Sequence, residues 1–183
     1  MARIPYIDPA AAPARTRQAL DGKRGINIFR LIAQAENAAP EVLALGHRLS
    51  RASSLPPVER EVVILRVAQL SQARYQAHEH HAVALRHGFT EEKITAVAEY
   101  PAMGSAEHLT EFERDLIEFT DSVVETTTAP DELFARITAV YNHSEVVELV
   151  LMIGFYMMVG RVMNTFEVEL ETGPVEVFKT APA

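Results

Sequence analysis

Apolar positions recur along this chain with the spacing of helices, and one segment is apolar on nearly every side. Between Pro57 and Leu70, apolar residues occupy nearly every side of a helical wheel. These residues are Val58, Val62, Val63, Ile64, Leu65, Val67, Ala68 and Leu70. A helix without a polar face is normally enclosed by the rest of the protein. The pattern therefore predicts a central, buried helix over residues 57–70.

Residue types that commonly begin or end helices indicate the bounds of the remaining helices. Gly88 is a fitting C-terminal terminator, and Thr110 with Glu113 three residues later has the spacing of a capping box. The other predicted helices are two within residues 26–52 that meet near Pro40, and one each over residues 75–87, 90–99, 110–125, 128–141 and 142–171. Because no segment combines strand-like alternation with turn signals, the sequence predicts an all-α fold.

Length and charge limit the architecture and the partners. A chain of 183 residues, 48% hydrophobic and 23% charged, is expected to form a single folded domain. We assign residues 1–25 to an N-terminal arm, 26–171 to the helical domain and 172–183 to a C-terminal tail. In the arm, Asp8 before Pro9 can cap a short turn, and an arm that lies on another subunit is an equal alternative. The net charge of −8 argues against nucleic acid and anionic membrane surfaces as partners.

The chain contains no cysteine. Disulfides, thiolate metal sites and thiol peroxidase chemistry are therefore excluded. The first residues lack the apolar core of a signal peptide. The longest apolar stretch, residues 149–160, has 12 residues, and about 20 are needed to span a bilayer. We therefore expect a soluble cytoplasmic protein that does not insert into membranes.

Glu61 is a carboxylate on an apolar stripe of the central helix. Its neighbours at helical spacing are Val58, Ile64, Leu65 and Ala68. A buried carboxylate is costly unless it is paired, hydrogen-bonded or protonated. Two interpretations stay open at this point, because structural ion pairs also occupy such positions. Glu61 either holds a backbone amide or an arginine, or it moves protons.

His80 lies on the following helix, on a stripe shared with Gln76, Val83 and His87. Two helices joined by a few residues pack antiparallel, so the stripes of Glu61 and His80 can face one cavity. A lone histidine is more often a satisfied core residue than a catalytic one. The pairing with Glu61 favours a proton-transfer role, because imidazole can both accept and donate a proton near neutral pH.

Two further groups of polar residues are candidates. His78 and His81 could chelate a metal at i, i+3, but the HExxH pattern is absent and a solvated polar face is the favoured interpretation, so no metal is expected. In the last helix, Tyr156, Arg161 and Asn164 interrupt an apolar segment. An arginine among apolar residues usually forms an ion pair with a buried carboxylate, which here would be that of Glu61 or of a substrate. The same helix is too apolar over residues 149–159 for the periphery of a small monomer, which predicts a homo-oligomer.

Four segments together resemble the carboxymuconolactone decarboxylase family of the AhpD-like superfamily. They are LPPVEREVVILRVA at residues 55–68, ARYQAHEH at 73–80, ALRHGFTEEKI at 84–94 and ELVLMIGFY at 148–156, and the match extends in order over residues 40–170. In the peroxidase branch of that superfamily, a glutamate precedes a CxxC pair and a histidine follows four residues after the second cysteine. Those two residues fall on Glu61 and His80, whereas the cysteine positions fall on Ala73 and Gln76.

The resemblance implies an AhpD-like helical bundle, trimers or hexamers with pockets near subunit contacts, and an enzyme that needs no cofactor. We expect a lyase, isomerase or hydrolase that acts by proton transfer on a small lactone or carboxylic acid. Glu61 and His80 would be catalytic, and the substrate-binding residues would be Tyr75, Gln76, Tyr156, Arg161 and Asn164. The alternatives are a non-catalytic oligomeric protein of the same fold that binds a small molecule and, last, a metal-dependent enzyme.

Overall fold

The computed structural model describes residues 2–173 and 175–178, and the regular elements of these residues are helices. Nine α-helices lie within these residues: α1 (Ala14–Leu20), α2 (Asn27–Ile32), α3 (Ala39–Arg51), α4 (Pro57–Leu70), α5 (Arg74–Arg86), α6 (Glu91–Glu99), α7 (Glu111–Thr126), α8 (Asp131–Val140) and α9 (His143–Thr165). Two short 3-10 helices occupy Pro9–Ala11 and Ser105–His108. Across the described residues, β-pairing is limited to one isolated bridge between Arg24 and Val177. The all-α prediction is confirmed.

The chain divides into two compact units. The first contains the chain up to Ala52 and from Met163 onward, and the second is Ser53–Val162. The segment predicted as an arm contains α1, whose Leu20 is fully buried and packs with Ala33 and Leu43. The expected turn is present too, because the Asp8 carboxylate accepts a hydrogen bond from the Ala10 amide at 3.0 Å. Of the predicted tail, residue 174 and residues 179–183 lie outside the described part.

Helix α4 is the centre of the second unit. Its bounds are those predicted, and every residue from Glu61 to Ala68 is buried. It packs against α5, α6 and α7. The fully buried side chains of this unit include Val62, Val63, Ile64, Leu116, Ile117, Phe119, Leu149, Met152 and Ile153. The absence of a polar face on α4 follows from this position, since other helices cover it on several sides.

The predicted caps are present at the helix boundaries. Gly88 has a positive φ of 87° after α5, and Thr90 caps α6 by accepting from the Lys93 amide. At the start of α7 the capping box is complete: the Thr110 hydroxyl accepts from the Glu113 amide at 3.2 Å, and the Glu113 carboxylate accepts from the Thr110 amide at 2.9 Å. These caps satisfy amide groups that have no partner within the helix.

Two predicted boundaries are wrong. Helix α8 begins at Asp131, because Pro130 is its N-cap with an extended ψ of 146°. Helix α9 ends at Thr165, six residues before the predicted end at 171. Glu167 adopts a positive φ of 53°, and the amides of Glu167 and Val168 return to the carbonyls of Asn164 and Met163. This is a Schellman-type end at a residue other than glycine, so the sequence carries no obvious stop signal.

Helix α9 has a buried face and an exposed apolar face. Its 23 residues and mean hydropathy of 1.9 would allow it to cross a membrane, but 44% of that apolar window is buried within the protein. Leu149, Met152 and Ile153 are fully buried. On the other side lie Val147, Val150, Leu151 and Met158, which are 41–59% exposed.

Candidate functional site

Glu61 and His80 meet between α4 and α5. Nδ1 of His80 lies 2.8 Å from Oε2 of Glu61. The Glu61 side chain is 7% exposed and that of His80 is 17% exposed, so the pair is largely enclosed but the imidazole is reachable. The structure therefore brings together the two residues that the sequence placed on facing stripes.

The pairing assigns the two imidazole nitrogens different tasks. An ionised carboxylate only accepts hydrogen bonds, so beside it Nδ1 is the donor. The neutral imidazole then carries its lone pair on Nε2. Glu61 thereby fixes the orientation of the ring and the tautomer, and Nε2 is the nitrogen that can take up a proton.

Tyr156 of α9 holds the other side of the imidazole. Its ring meets His80 edge to face, with centroids 5.1 Å apart and an interplanar angle of 89°. Phe155 in turn packs edge to face on Tyr156 at 5.4 Å. Such aromatic pairs add specific geometry to the burial of the rings. Tyr156 is 7% exposed, and we infer that it helps to fix the position of His80.

The two positions at which the resemblance places the redox cysteines precede His80: Gln76 lies one turn earlier on α5, and Ala73 is the N-cap of that helix. Ala73 and Gln76 are both buried, as is Tyr75. Gln76 Nε2 donates to the Ile64 carbonyl at 3.2 Å. Opposite them on α9 is Gly160, where an added Cβ would stand 3.3 Å from the Ala73 Cβ. The glycine thus permits a close approach of α9 to α5 beside the histidine.

The expectation for Arg161 is wrong in one respect. Arg161 is exposed, and its Nη1 donates to the Met157 carbonyl at 3.0 Å within its own helix. Arg161 is therefore not a buried residue that forms an ion pair with Glu61. Asn164 is also exposed. One face of this apolar helix lies at the surface, and polar residues on that face can stay in solvent. The sequence pattern alone did not reveal which face is exposed.

Among the described residues, the buried arginine is Arg66, which the sequence pattern did not single out. Its Nε and Nη2 donate to Asp121 of α7 at 2.6 and 2.7 Å. Its Nη1 donates to the carbonyls of Val97 and Ala98 at the end of α6, at 3.2 and 2.8 Å. Arg66 is 6% exposed and Asp121 about a quarter exposed. The sequence feature that could have identified Arg66 is its position as a charged residue within an apolar run. Its hydrogen bonds join α4, α6 and α7.

A second carboxylate of α4 is held by a tyrosine. The Tyr141 hydroxyl donates to Glu59, and Phe112 packs edge to face on the Tyr141 ring. Burial and the neighbouring Glu59 carboxylate raise the pKa of Tyr141 well above its ordinary value. The tyrosine therefore remains a neutral donor. Glu59 is accounted for by this structural contact, unlike Glu61, which faces an imidazole.

The histidine run does not converge on one point. His81 Nε2 lies 2.8 Å from Glu91 Oε2 at the surface, and His78 is exposed. Among the residues that the structure describes, no three His, Cys, Asp or Glu side chains come together as potential metal ligands.

Comparison with known proteins gives a family segment and a fold. The model of the carboxymuconolactone decarboxylase family matches residues 38–110. No curated protein sequence matches the chain. The alkylhydroperoxidase AhpD core of a peroxidase-related protein from Ralstonia eutropha JMP134 is similar, with a TM-score of 0.77, 17% identity and 93% of each chain covered.

Two further solved structures share the architecture. A peroxidase-related protein from Silicibacter sp. TM1040 has a TM-score of 0.74 at 16% identity, with 93% of this chain and 91% of that chain covered. A cysteine-to-alanine variant of the debrominase Bmp8 in complex with 2,3,4-tribromopyrrole has a TM-score of 0.72 at 14% identity, with 94% and 95% covered. At these identities the likeness concerns the fold. The chain therefore has an AhpD-like all-α fold, its residues 38–110 match the carboxymuconolactone decarboxylase family model, and it contains no cysteine.

Proposed function

We propose that this protein is a cofactor-independent enzyme that transfers protons on a small lactone or carboxylic acid, with His80 as acid–base and Glu61 as its partner. The observation that carries the proposal is the 2.8 Å contact between His80 Nδ1 and Glu61, which leaves Nε2 for chemistry. A base in this position needs only a substrate C–H or O–H within reach of Nε2. The Glu61 carboxylate stabilises the imidazolium that forms.

Two reactions of this class need no proton donor or acceptor on the protein other than His80. In an isomerisation, neutral Nε2 removes a proton from one carbon and returns it to another. In a decarboxylation, the C–C bond breaks, CO2 leaves, and the electron pair that remains on the substrate takes a proton from Nε2 of a protonated His80. Enclosure by Tyr156 and by the wall of α4 would keep water from the developing charge.

The comparisons support a small substrate. The family that matches residues 38–110 is named for a decarboxylase, and the structurally similar Bmp8 binds a small substituted pyrrole. The alternative is a non-catalytic oligomer of the same fold that binds a small molecule.

The proposal is tested with a set of small carbonyl acids and lactones in D2O. Proton transfer to or from carbon appears in 1H NMR spectra as loss of a C–H signal or as decarboxylation. We expect at least one compound to exchange in the presence of the wild-type protein, and to exchange at the buffer rate in the presence of His80→Ala. A binding protein would perturb the spectra of its ligand without accelerating exchange.

We expect no thiol-dependent peroxidase activity. The two positions of the redox cysteines are Ala73 and Gln76, and neither side chain can form a sulfenate or a disulfide. Consumption of cumene hydroperoxide in the presence of dithiothreitol should equal that of the protein-free blank. Turnover above the blank would mean that another group carries the redox chemistry.

We also propose that the protein is a cytoplasmic homo-oligomer, a trimer or hexamer as the resemblance implies, and that the exposed face of α9 lies in the subunit contact. Val147, Val150, Leu151 and Met158 recur at helical spacing, and Gly154 between them has no heavy atom within 4 Å of an added Cβ. An apolar stripe of this kind is unusual on the surface of a monomer.

Leu151→Glu is therefore expected to dissociate the assembly to a monomer of 20.3 kDa in light scattering at micromolar concentration. A buried charge without a partner opposes association strongly. Leu45→Glu is the control, because Leu45 is an exposed leucine on α3. A wild-type monomer, or an assembly that survives Leu151→Glu, would contradict this assignment of the interface.

A further inference from the structure

The Glu61–His80 pair carries a negative charge before it reacts. In the proposed chemistry the imidazole is neutral, so that Nε2 can take up a proton, and the Glu61 carboxylate is ionised. The Glu61 side chain is 7% exposed, so water screens its charge only weakly. Among the residues that the structure describes, the only basic group at ion-pair distance from Glu61 is the imidazole itself. A substrate that binds at Nε2 therefore meets a buried anion.

Three other cations of the protein are engaged away from this pair. Arg66 donates to Asp121 at 2.6 Å, and Lys93 pairs with Glu113. Arg161 is exposed and donates to a carbonyl of its own helix. Each of these side chains has its hydrogen-bond acceptor elsewhere, so none of the three balances the charge of Glu61.

Arg60 precedes Glu61 on α4 and is half-buried. Successive residues of a helix do not face the same side, so its side chain leaves α4 in a different direction from that of Glu61. Hydrogen bonds from Ser53 and Ser54, together with the charge of Arg60, hold the pKa of Glu148 below its ordinary value. The charge of Arg60 therefore acts on Glu148 of α9, which is a different carboxylate from that of the candidate site.

The surroundings of the pair are apolar. Ile64 and Leu65 share the stripe of Glu61 and are 1% and 6% exposed, and the Tyr156 ring packs on the imidazole. A second carboxylate brought here would lose hydration and would be repelled by Glu61. The net charge of −8 also makes the approach of an anion unfavourable. An uncharged ligand meets neither obstacle.

We propose that the site selects uncharged carbonyl compounds, such as lactones and esters, and discriminates against ligands that place a carboxylate beside His80. Neutral Nε2 takes a proton from the carbon next to the carbonyl, and the electron pair of that C–H bond forms an enolate. Return of the proton to another carbon completes an isomerisation. Site and substrate together then carry one negative charge throughout, whereas a carboxylate substrate would make it two. The inference rests on the proposed function and favours isomerisation over decarboxylation.

The test compares ligands that differ in charge but little in shape. The probes are γ-butyrolactone-γ-carboxamide with γ-butyrolactone-γ-carboxylate, and benzamide with benzoate. Dissociation constants come from titrations that follow the imidazole signals of His80 in 1H–15N spectra, and these signals are identified by their loss in His80→Ala. In the wild type we expect the uncharged member of a pair to bind at least about 10-fold more tightly than the carboxylate.

Glu61→Gln removes the charge and keeps the shape, so it is expected to lower this ratio to about one. Glu59→Gln is the matched control, because Glu59 is a carboxylate of the same helix that accepts from Tyr141, and it should keep the wild-type ratio. A thermal melt shows whether each variant is folded. If Glu61→Gln is not, the ratio in the wild type still decides.

Three results would overturn the proposal. They are carboxylates that bind the wild type as tightly as their uncharged partners, a ratio that is unchanged in folded Glu61→Gln, and uncharged probes that leave the His80 signals in place up to their solubility. If a carboxylate binds the wild type more tightly and loses this advantage in Arg60→Gln, Arg60 is a cation of the site and the assignment of its charge to Glu148 is wrong.

The two proposals fail in different ways. If proton exchange is lost in His80→Ala while ligand charge has no effect on binding, only the charge selectivity is wrong. If the preference for uncharged ligands depends on Glu61 while His80→Ala exchanges protons at the wild-type rate, the site selects ligands by charge but the proposed chemistry is wrong.

Discussion

Replacement of His80 by alanine, or of Glu61 by glutamine, is expected to lower turnover by about 10²- to 10⁴-fold while the chain stays folded. His80→Ala removes the nitrogen that transfers the proton. Glu61→Gln keeps the shape but loses the carboxylate that fixes the tautomer at 2.8 Å from Nδ1. The measurement is the initial rate with a substrate from the deuterium-exchange assay, beside a thermal melt of each variant.

Two nearby residues provide matched controls. Glu59 lies on the same helix as Glu61 but accepts from Tyr141, and His81 follows His80 in sequence but pairs with Glu91 at the surface. Glu59→Gln and His81→Ala should keep rates close to the wild type. Equal losses in the controls would show that turnover responds to general perturbation of α4 and α5, and not to the Glu61–His80 pair.

The largest loss of stability is expected for Arg66→Ala, about 3–5 kcal/mol in the free energy of unfolding. The substitution leaves the Asp121 carboxylate and the carbonyls of Val97 and Ala98 without the four hydrogen bonds that Arg66 donates. Asp121 is about a quarter exposed, so water recovers part of this loss and the lower end of the range is expected. For a chain of this size the melting temperature should fall by roughly 6–12 °C.

Arg136 is the matched control for this variant. It also pairs with a carboxylate of α7, Asp115 at 2.8 Å, but it is 45% exposed. Arg136→Ala should lower the free energy of unfolding much less than Arg66→Ala does, because water screens an exposed ion pair. Chemical denaturation of both variants compares the two losses directly. If Arg66→Ala were no more harmful than Arg136→Ala, Arg66 would not be the residue that holds α4, α6 and α7 together.

The parts of the fold that the sequence predicted well are those with local causes. The bounds of α4 follow from a proline at its start and an apolar run over residues 62–68 that only Arg66 interrupts, and the caps of α6 and α7 follow from Thr90 and Thr110. Helix α1 was missed because it has seven residues and only Thr16 and Leu20 are buried, so it shows no apolar stripe. The end of α9 was missed because Glu167, and not a glycine, takes the left-handed conformation.

The site was predictable from sequence only where the spacing of residues along two neighbouring helices determines which side chains face each other. The Glu61 and His80 stripes lie on neighbouring helices, so their spacing was sufficient to pair them. Arg66 and Asp121 are 55 positions apart, and spacing along one helix says nothing about such a contact. The exposure of Arg161 likewise depends on how α9 packs against α5, which the sequence pattern does not encode.

The central claim is that Glu61 and His80 act as one proton-transfer unit. The most direct test is a double-mutant cycle of turnover rates with Glu61→Gln, His80→Ala and the combined variant, each with its thermal melt. Because residues that act as a unit are non-additive, the combined variant should be little slower than either single one, with every variant still folded at the assay temperature. Normal rates with stability lowered by about 1–3 kcal/mol would contradict the account, since that is the result for a purely structural pair.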